Sequence, residues 1–301
     1  VMSIIYRRGT LDDSQNTFDV FRQSMRELGD RLSGMPVRGG DDPQVIQNLW
    51  ARRQSLFEHL ARTSDNFWVA EQDGKVIGFA RSILRDGVRQ LTEFFVLPEC
   101  QSAGVGRELL ARAFPVDGAD HRFITATIDR RAIQRYLKAK VYPLFPCYAF
   151  SRPAEKVNLK TDLTIEHITP SAQAMGELIR IDDAILGFHR EAEHAWLIES
   201  RQGYFYRRDN AIVGYGYLGE HNGPFASLDA NDFPAILAHA ETEAVLKATE
   251  FSVKVPMVNR AAIDYLLSRN CKLESFFEFF MADSAFGKFE NYVLTSPPFF
   301  V

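Results

Sequence analysis

A β-hairpin pattern occurs twice in this chain of 301 residues. In the first copy, at residues 67–80, two β-rich segments flank the dipeptide Asp73-Gly74, which is a strong signal for a hairpin turn. The second copy, at residues 204–216, has the same arrangement around Asp209-Asn210. A repeat with so long a period predicts two structural units of one kind.

The elements around the two hairpins follow one order: an opening strand, helices, the hairpin, a strand and a last helix. The opening strands are predicted at residues 3–7 and 163–167. The later strands are predicted at residues 123–128 and 251–255, and the last helices at residues 130–139 and 259–269. The polar stretch at residues 151–161 contains Pro153 and lacks hydrophobic periodicity, so it predicts the linker. The predicted domains are therefore residues 1–152 and 160–301, each a mixed α+β unit.

Composition and charge argue against nucleic acid, membrane and metal as partners of this chain. The formal net charge of −4, from 35 basic and 39 acidic residues, argues against a nucleic-acid-binding protein. No apolar run approaches the ~20 residues that cross a bilayer, so no membrane partner is expected. The cysteines Cys100, Cys147 and Cys271 contain no CxxC pair, and His189 and His194 would share a helix face poorly. We therefore expect no metal site and a cytoplasmic location.

A glycine-rich loop follows a predicted strand at residues 90–97 and precedes a predicted helix. Pro98 ends the strand, and the turn that follows contains Gly104 and Gly106. Free amide groups and the positive end of the helix dipole make such a turn suitable for binding phosphate, and Arg107 adds charge at its rim. A P-loop is excluded because Lys-Ser/Thr does not follow the second glycine, and a dinucleotide fingerprint would need a third glycine.

The loop resembles the pyrophosphate-binding signature of the GNAT superfamily of N-acetyltransferases. That signature is Gln/Arg-x-x-Gly-x-Gly/Ala after a strand ending in Val-x-Pro, and residues 101–106 after Val96-Leu97-Pro98 fit it at every position. With the neighbouring elements, the resemblance covers residues 3–150. It implies acetyl-CoA as cosubstrate, direct transfer of the acetyl group to a primary amine, and a mixed, mostly antiparallel sheet flanked by helices.

The resemblance also implies which residues contact the cofactor. In the family, the strand matching Val96 splays from its neighbour, and the pantetheine arm pairs with backbone in the gap. The family usually has Asn at the position of Asp129, so this chain places an extra negative charge there. The implied cofactor-binding residues are Phe95, Val96, Gln101, Ser102, Ala103, Gly104, Val105, Gly106, Arg107 and Asp129.

Two residues are implied as catalytic. Tyr136 lies seven residues after Asp129, where the family often has a tyrosine that protonates the departing thiolate; the alternative is a core tyrosine whose hydroxyl bonds a backbone carbonyl. Tyr142 is a second candidate for the acid. Glu93 occupies a position where many relatives carry a general base, and its alternative is an exposed partner for Arg89 or Arg130.

The second half lacks the glycine loop. The segment after its corresponding strand reads Asp229-Ala230-Asn231-Asp232-Phe233-Pro234, which would repel pyrophosphate, and Leu266 stands where the first half has Tyr136. It resembles the degenerate second domain of tandem GNAT proteins. We expect it to shape the amine pocket or to form a homodimer contact, and the aromatic tail at residues 286–301 predicts burial.

The acceptor amine is not identified by the sequence. A small molecule is favoured, because the second domain or the loop at residues 38–42 could enclose it. The alternatives are a protein or peptide N-acetyltransferase and, of another class, a non-catalytic acyl-CoA-binding sensor.

Overall fold

The computed structural model describes residues 3–32, 42–101, 104–247 and 249–300. The chain forms two compact units. The first comprises the chain up to Ile124 together with Asp129–Val141, and the second comprises Thr125–Ile128 together with the chain from Tyr142 onward. The predicted domain boundary at residues 152–160 stays a prediction, and the loop at residues 38–41 lies outside the described residues.

The first unit is built on strands in the order β1-β2-β3-β4-β5. Neighbouring strands are antiparallel, except that β4 and β5 are parallel. Its elements are β1 (Ile5–Arg8), α1 (Ser14–Leu32), α2 (Pro43–Thr63), β2 (Asn66–Gln72), β3 (Lys75–Arg85), β4 (Val88–Val96), α3 (Val105–Ala113), β5 (His121–Thr127) and α4 (Arg130–Lys138).

The second unit contains two groups of antiparallel strands, in the orders β12-β6-β11 and β13-β10-β9-β8-β7. Its elements are β6 (Tyr142–Pro153), β7 (Thr164–His167), α5 (Ala172–Ile185), α6 (Glu191–Ser200), β8 (Gln202–Arg208), β9 (Ala211–Leu218), β10 (Phe225–Ser227), α7 (Phe233–Leu246), β11 (Glu250–Pro256), α8 (Arg260–Ser268), β12 (Lys272–Ala282) and β13 (Tyr292–Val293). The strand β6, which sequence analysis did not predict, belongs here because β11 and β12 pair with its two edges.

Both predicted hairpins form, and their turns have the same backbone geometry. Asp73 and Gly74 between β2 and β3 have φ values of 52° and 75°. Asp209 and Asn210 between β8 and β9 have φ values of 47° and 68°. Two consecutive residues with positive φ define the type I′ turn, whose twist matches that of the flanking strands. The repeat read from the sequence is therefore a repeat of structure.

Aromatic residues hold α1 and α2 against the sheet of the first unit. Phe18 of α1 meets Phe57 of α2 edge to face, with ring centroids 5.6 Å apart, and both are buried beside Phe67 and Phe79. Burial of one such side chain contributes roughly 1.5–3 kcal/mol. This packing fixes α1 beside β3 and β4, the strands on which the candidate site is built.

The aromatic tail of the described chain packs within the second unit. Tyr292 is buried in β13, which pairs with β10, and the next residue but one, Leu294, bridges to Lys254 of β11. The ring of Phe300 meets Trp196 edge to face at 5.7 Å. The predicted burial of this segment is thus observed.

Among the helices of the described ranges, none combines the length and the apolar character that a membrane span requires.

Candidate active site

The glycine loop connects β4 to α3 in the first unit. A single turn of 3-10 helix, Pro98–Cys100, ends the strand, and Gly104 then takes φ 87° as the N-terminal cap of α3. That left-handed conformation favours glycine because it has no Cβ. Ser102 and Ala103, two of the predicted cofactor-binding residues, lie outside the described residues. Val105 and Gly106 open the helix, where backbone amides lack intrahelical partners.

Gly106 lies close to two side chains of the neighbouring elements. A Cβ at this position would lie 3.1 Å from Cζ of Phe94 and 3.4 Å from Nε of Arg135. Even a methyl group here would therefore require the Phe94 ring to shift slightly, and a larger side chain would crowd the space beside the loop. The side chain of Arg107 is 80% exposed and its Nε lies 3.5 Å from Oε1 of Glu108.

The far end of β4 has one edge without a partner strand. β5 pairs with β4 only along Val88–Leu91, whereas β3 pairs with β4 up to Val96. On the side away from β3, residues 92–96 have no strand pairing within the part of the chain that the structure describes. The carbonyl of Val96 accepts hydrogen bonds from Ser24 Oγ at 3.1 Å and Gln101 Nε2 at 3.0 Å, which fix the end of the strand.

A cleft opens between this end of β4, the loop and α4. Residues of β4 alternate between two faces, so Phe94 and Val96 line the cleft while Phe95 packs on Phe21 and Phe79 on the opposite face. The side chain of Phe95 therefore faces away from the cleft, and only its backbone could contact a cofactor there. The lining residues are Phe94, Val96, Gln101, Gly106, Asp129, Arg131, Ala132 and Arg135.

Asp129 caps α4 and lies in this cleft with its charge compensated. Its carboxylate accepts from the backbone N–H of Arg131 at 3.0 Å and pairs with Arg31 at 3.1 Å. Burial raises the pKa of Asp129, but the hydrogen bonds from Arg31 and Arg131 outweigh it, so the pKa lies below its usual value. The extra negative charge that the sequence places here is thus offset by an arginine from α1.

Tyr136 lies one turn and a half into α4 and is 6% exposed. Its ring packs against Phe94 of the cleft wall, with centroids 6.3 Å apart. The hydroxyl makes no hydrogen bond to any described residue. The alternative interpretation, a core tyrosine whose hydroxyl bonds a backbone carbonyl, therefore finds no such carbonyl among the described residues. Burial raises the pKa of Tyr136, with Asp129 adding to the effect, so the phenol stays protonated at neutral pH.

Glu93 is fully buried, and its partner is neither Arg89 nor Arg130. Its Oε2 accepts from Nη1 of Arg81 at 2.9 Å, and both side chains are 0% exposed. The alternative interpretation, an exposed ion pair with Arg89 or Arg130, is wrong because a bulge in β4 sets Arg81 of β3 directly opposite Glu93. Burial raises the pKa of Glu93 and Arg81 opposes that shift. The other oxygen, Oε1, has no hydrogen-bond partner in the described residues.

Arg81 was missed by sequence analysis. Its guanidinium lies 4.1 Å from the ring centroid of Phe67 and also donates to Thr17 Oγ1 at 2.8 Å and to the carbonyl of Phe57 at 3.2 Å. An arginine in the middle of an otherwise apolar strand, two residues after Phe79, was the available signal, because such a charge is buried only with partners.

The segment that contains these residues matches a known family. Residues 63–139 match the family model described as an acetyltransferase (GNAT) domain. This part of the chain, about a quarter of its length, is similar to GNAT acetyltransferase domains. The matched residues extend from the end of α2 to the end of α4, and they include the glycine loop, Glu93, Asp129 and Tyr136.

Solved structures extend the likeness in fold to both units. A putative acetyltransferase from Pyrococcus horikoshii is 15% identical, with a TM-score of 0.72 over 96% of this chain and 92% of that one. A GCN5-related N-acetyltransferase from Sphaerobacter thermophilus is 11% identical, with a TM-score of 0.62 over 94% and 96%. A tandem GNAT protein from the clavulanic acid biosynthesis pathway is 12% identical, with a TM-score of 0.59 over 93% and 98%.

At these identities the likeness establishes the fold. It confirms the prediction of two GNAT-like domains in tandem, each of mixed α and β structure. No curated protein sequence matches the chain.

In the second unit, the strand edge that corresponds to the open edge of β4 is paired with another strand of the same unit. β10, the counterpart of β4, pairs with β9 on one edge and with β13 on the other. Asn259, the counterpart of Asp129, caps α8 and donates from Nδ2 to the carbonyl of Tyr292 in β13 at 3.1 Å. Leu266, the counterpart of Tyr136, is fully buried. A segment of the chain itself therefore occupies the edge of β10.

The second GNAT unit also contains a buried polar network. Asp182 accepts from Arg190 Nε and pairs with Nε2 of His194, each at 2.9 Å, and it accepts from the Tyr215 hydroxyl. His194 Nδ1 lies 2.8 Å from the Tyr217 hydroxyl. His194 thus belongs to this network, whereas His189 lies 3.3 Å from Asp183.

Proposed function

We propose that the first GNAT unit binds acetyl-CoA in the cleft between β4 and α4 and transfers the acetyl group directly to a primary amine. The observation that carries the proposal is the partnerless edge of residues 92–96 beside the glycine loop. An extended amide-containing chain can pair with such an edge as an added strand. The loop at the end of the same strand offers amides for a pyrophosphate.

The residues present fit this cosubstrate. Gly104 and Gly106 keep side chains out of the space before α3, and Gln101 and Val96 line the cleft below it. Asp129 replaces the family's usual asparagine, but its carboxylate still accepts hydrogen bonds and is offset by Arg31. The loop therefore holds the pyrophosphate, and the backbone of β4 orients the pantetheine arm and the thioester.

The transfer requires a proton to move at each end. The neutral amine attacks the thioester carbonyl, a C–N bond forms, and the C–S bond breaks. We assign the proton returned to the departing thiolate to Tyr136, because its hydroxyl has no partner among the described residues and its raised pKa keeps it protonated. Backbone N–H groups of β4 would polarise the carbonyl.

We assign the general base to Glu93. Its raised pKa brings the carboxylate towards the range in which it accepts a proton at neutral pH, and Oε1 is not engaged by a described residue. In the structure this side chain is enclosed, so the proton must reach it through water or by movement of the surrounding residues.

A small molecule is the acceptor that we favour, in a cytoplasmic protein. In the second unit β10, the counterpart of β4, is paired on both edges, so that unit is available for a role other than binding the cosubstrate. Identification of the amine requires experiment.

The test is release of free thiol from acetyl-CoA with a panel of small amines and N-terminal peptides. We expect turnover with one class of small amine and loss of both turnover and acetyl-CoA binding in Gly106→Asp, because the new carboxylate would crowd Phe94 and repel pyrophosphate. Gly176→Asp in α5 is the matched control, since nothing lies within 4 Å of its Cβ position.

Calorimetry separates the competing outcomes. If the wild-type protein binds no acetyl-CoA, the proposal is wrong. Binding without turnover of any amine or peptide would instead support the sensor, and turnover of peptides alone would support a protein acetyltransferase.

A further inference from the structure

The helix α4 carries an unusual density of positive charge on the cleft side of the first unit. Its sequence, RRAIQRYLK, contains four basic residues and no acidic one. Arg131 and Arg135 are one helical turn apart, so they lie on one face, and both line the cleft. Arg130 precedes them on the same helix, is exposed and does not line the cleft.

The two cleft arginines differ in their partners. Arg131 lies 3.3 Å from Glu27 and 3.8 Å from Asp129, so its charge is offset. Arg135 is half-buried, and its bond within the described residues is from Nη1 to the carbonyl of Arg131 at 3.1 Å. No described carboxylate pairs with it. Its Nε lies 3.4 Å from the Cβ position of Gly106, at the first turn of α3.

The second unit provides an internal comparison. Aligned on their caps, Asp129 and Asn259, the helices α4 and α8 place Ala261 opposite Arg131 and Tyr265 opposite Arg135. The helix RAAIDYLLS has one basic and one acidic residue. The unit without the glycine loop thus lacks both cleft arginines. Helix geometry does not require arginine at either position, because α8 forms without them.

We propose that Arg135, with Arg131 beside it, binds a phosphate group of coenzyme A and sets the enzyme's affinity for the nucleotide end of the cofactor. This inference rests on the proposed function. A guanidinium can donate two parallel hydrogen bonds to phosphate oxygens, and half-burial beside the amides of α3 strengthens them. The phosphate is either the pyrophosphate held at the loop or the 3′-phosphate of the adenosine, which share this chemistry.

The test compares dissociation constants for coenzyme A and 3′-dephospho-coenzyme A, measured by calorimetry without amine. We expect Arg135→Gln to weaken coenzyme A binding about 10- to 100-fold, the range for loss of charge-assisted hydrogen bonds. Arg130→Gln is the matched control: it removes the same charge from the same helix outside the cleft, so it should change the constant by about twofold or less. Arg135→Lys, which keeps the charge without the fork, should fall between.

Dephospho-coenzyme A identifies the phosphate. If Arg135→Gln weakens its binding as much as that of coenzyme A, the arginine binds the pyrophosphate; if the variant leaves its binding unchanged, the arginine binds the 3′-phosphate. Equal binding of coenzyme A by the Arg135→Gln, Arg130→Gln and wild-type proteins would overturn the inference while leaving the proposed function intact. Absence of binding by the wild-type protein would overturn both. Circular dichroism confirms that each variant is folded.

Discussion

Arg81 and Glu93 form an ion pair whose two side chains are both fully buried. Such a pair is stable only when further hydrogen bonds satisfy the charges, and Thr17, Phe57 and the ring of Phe67 supply those contacts to Arg81. Glu93 keeps one oxygen without a described partner. A buried carboxylate with a raised pKa and a free acceptor is the state expected of a group that takes up a proton.

Sequence reasoning located Glu93 but not its partner. The resemblance to the GNAT family implied a role for Glu93, whereas the identity of the residue opposite depends on the strand register. The bulge in β4 shifts that register between the Arg81–Glu93 and Ser82–Leu91 pairs. A shift of one residue reverses which face each side chain occupies, and no local sequence signal marks this bulge. Similarly, the Arg31–Asp129 pair joins residues that are 98 positions apart in the chain.

Tyr136→Phe tests the acid at the residue scale. Loss of the hydroxyl removes the proton donor and should lower kcat by about 10²-fold or more, while the dissociation constant for acetyl-CoA stays within a factor of about two because the ring still packs on Phe94. Steady-state kinetics and calorimetry measure the two quantities. Tyr142→Phe removes the hydroxyl of the second candidate, whose side chain is 47% exposed, and should leave kcat unchanged if Tyr136 is the acid. An unchanged kcat in Tyr136→Phe would exclude the acid role.

At the scale of elements, the sequence predicted those whose signals are local. The turns at Asp73-Gly74 and Asp209-Asn210 lie within the two predicted hairpins. The strands β6 and β12 were not predicted, because each is defined by pairing with distant segments rather than by its own pattern. The strand β13 contains only two residues, which is too short for a strand pattern to be recognised in the sequence.

The partnerless edge of β4 gives a prediction that does not depend on turnover. Acetyl-CoA should slow amide hydrogen exchange in peptides covering residues 92–97, because the cosubstrate would pair with amides that no strand protects. Peptides covering β10, which is paired on both edges, should show no change. Exchange measured by mass spectrometry checks both. Equal exchange at residues 92–97 with and without saturating acetyl-CoA would contradict the proposed position of the pantetheine arm.

At the scale of the whole molecule, pH should affect the stability of the second unit through a buried network of charged residues around Asp182. Burial raises the pKa of Asp182, but the charges of Arg190 and His194 outweigh it, so the carboxyl titrates well below its usual range. A carboxyl whose folded pKa is lowered stabilises the fold above its unfolded pKa of about 3.9, and that contribution is lost as the pH falls further. The tyrosines Tyr215, Tyr217 and Tyr292 enclose the same charges.

Asp182→Asn should therefore destabilise the second unit strongly at neutral pH and less below about pH 4. The neutral side chain removes the carboxylate charge from the buried pair with Arg190, and breaking such a pair costs about 3–5 kcal/mol. Urea unfolding at pH 7 and pH 3 measures the difference. Asp183→Asn is the control, since the neighbouring Asp183 side chain is 54% exposed. A loss of stability that is the same at both pH values would show that the charge of Asp182 is not its cause.

The pairing of β13 with β10 has a thermodynamic consequence for how the two units respond to metabolite supply. In the proposed complex the open edge of β4 binds a dissociable molecule, so the free energy of unfolding of the first unit should rise with the concentration of acetyl-CoA, by about 2.7 kcal/mol at one hundred times the dissociation constant. In the second unit the corresponding edge, that of β10, pairs with β13 of the same chain. Because β13 is covalently linked, its effective concentration does not change when the protein is diluted. We therefore expect the stability of the first unit to depend on the concentration of acetyl-CoA, and the stability of the second unit not to depend on it.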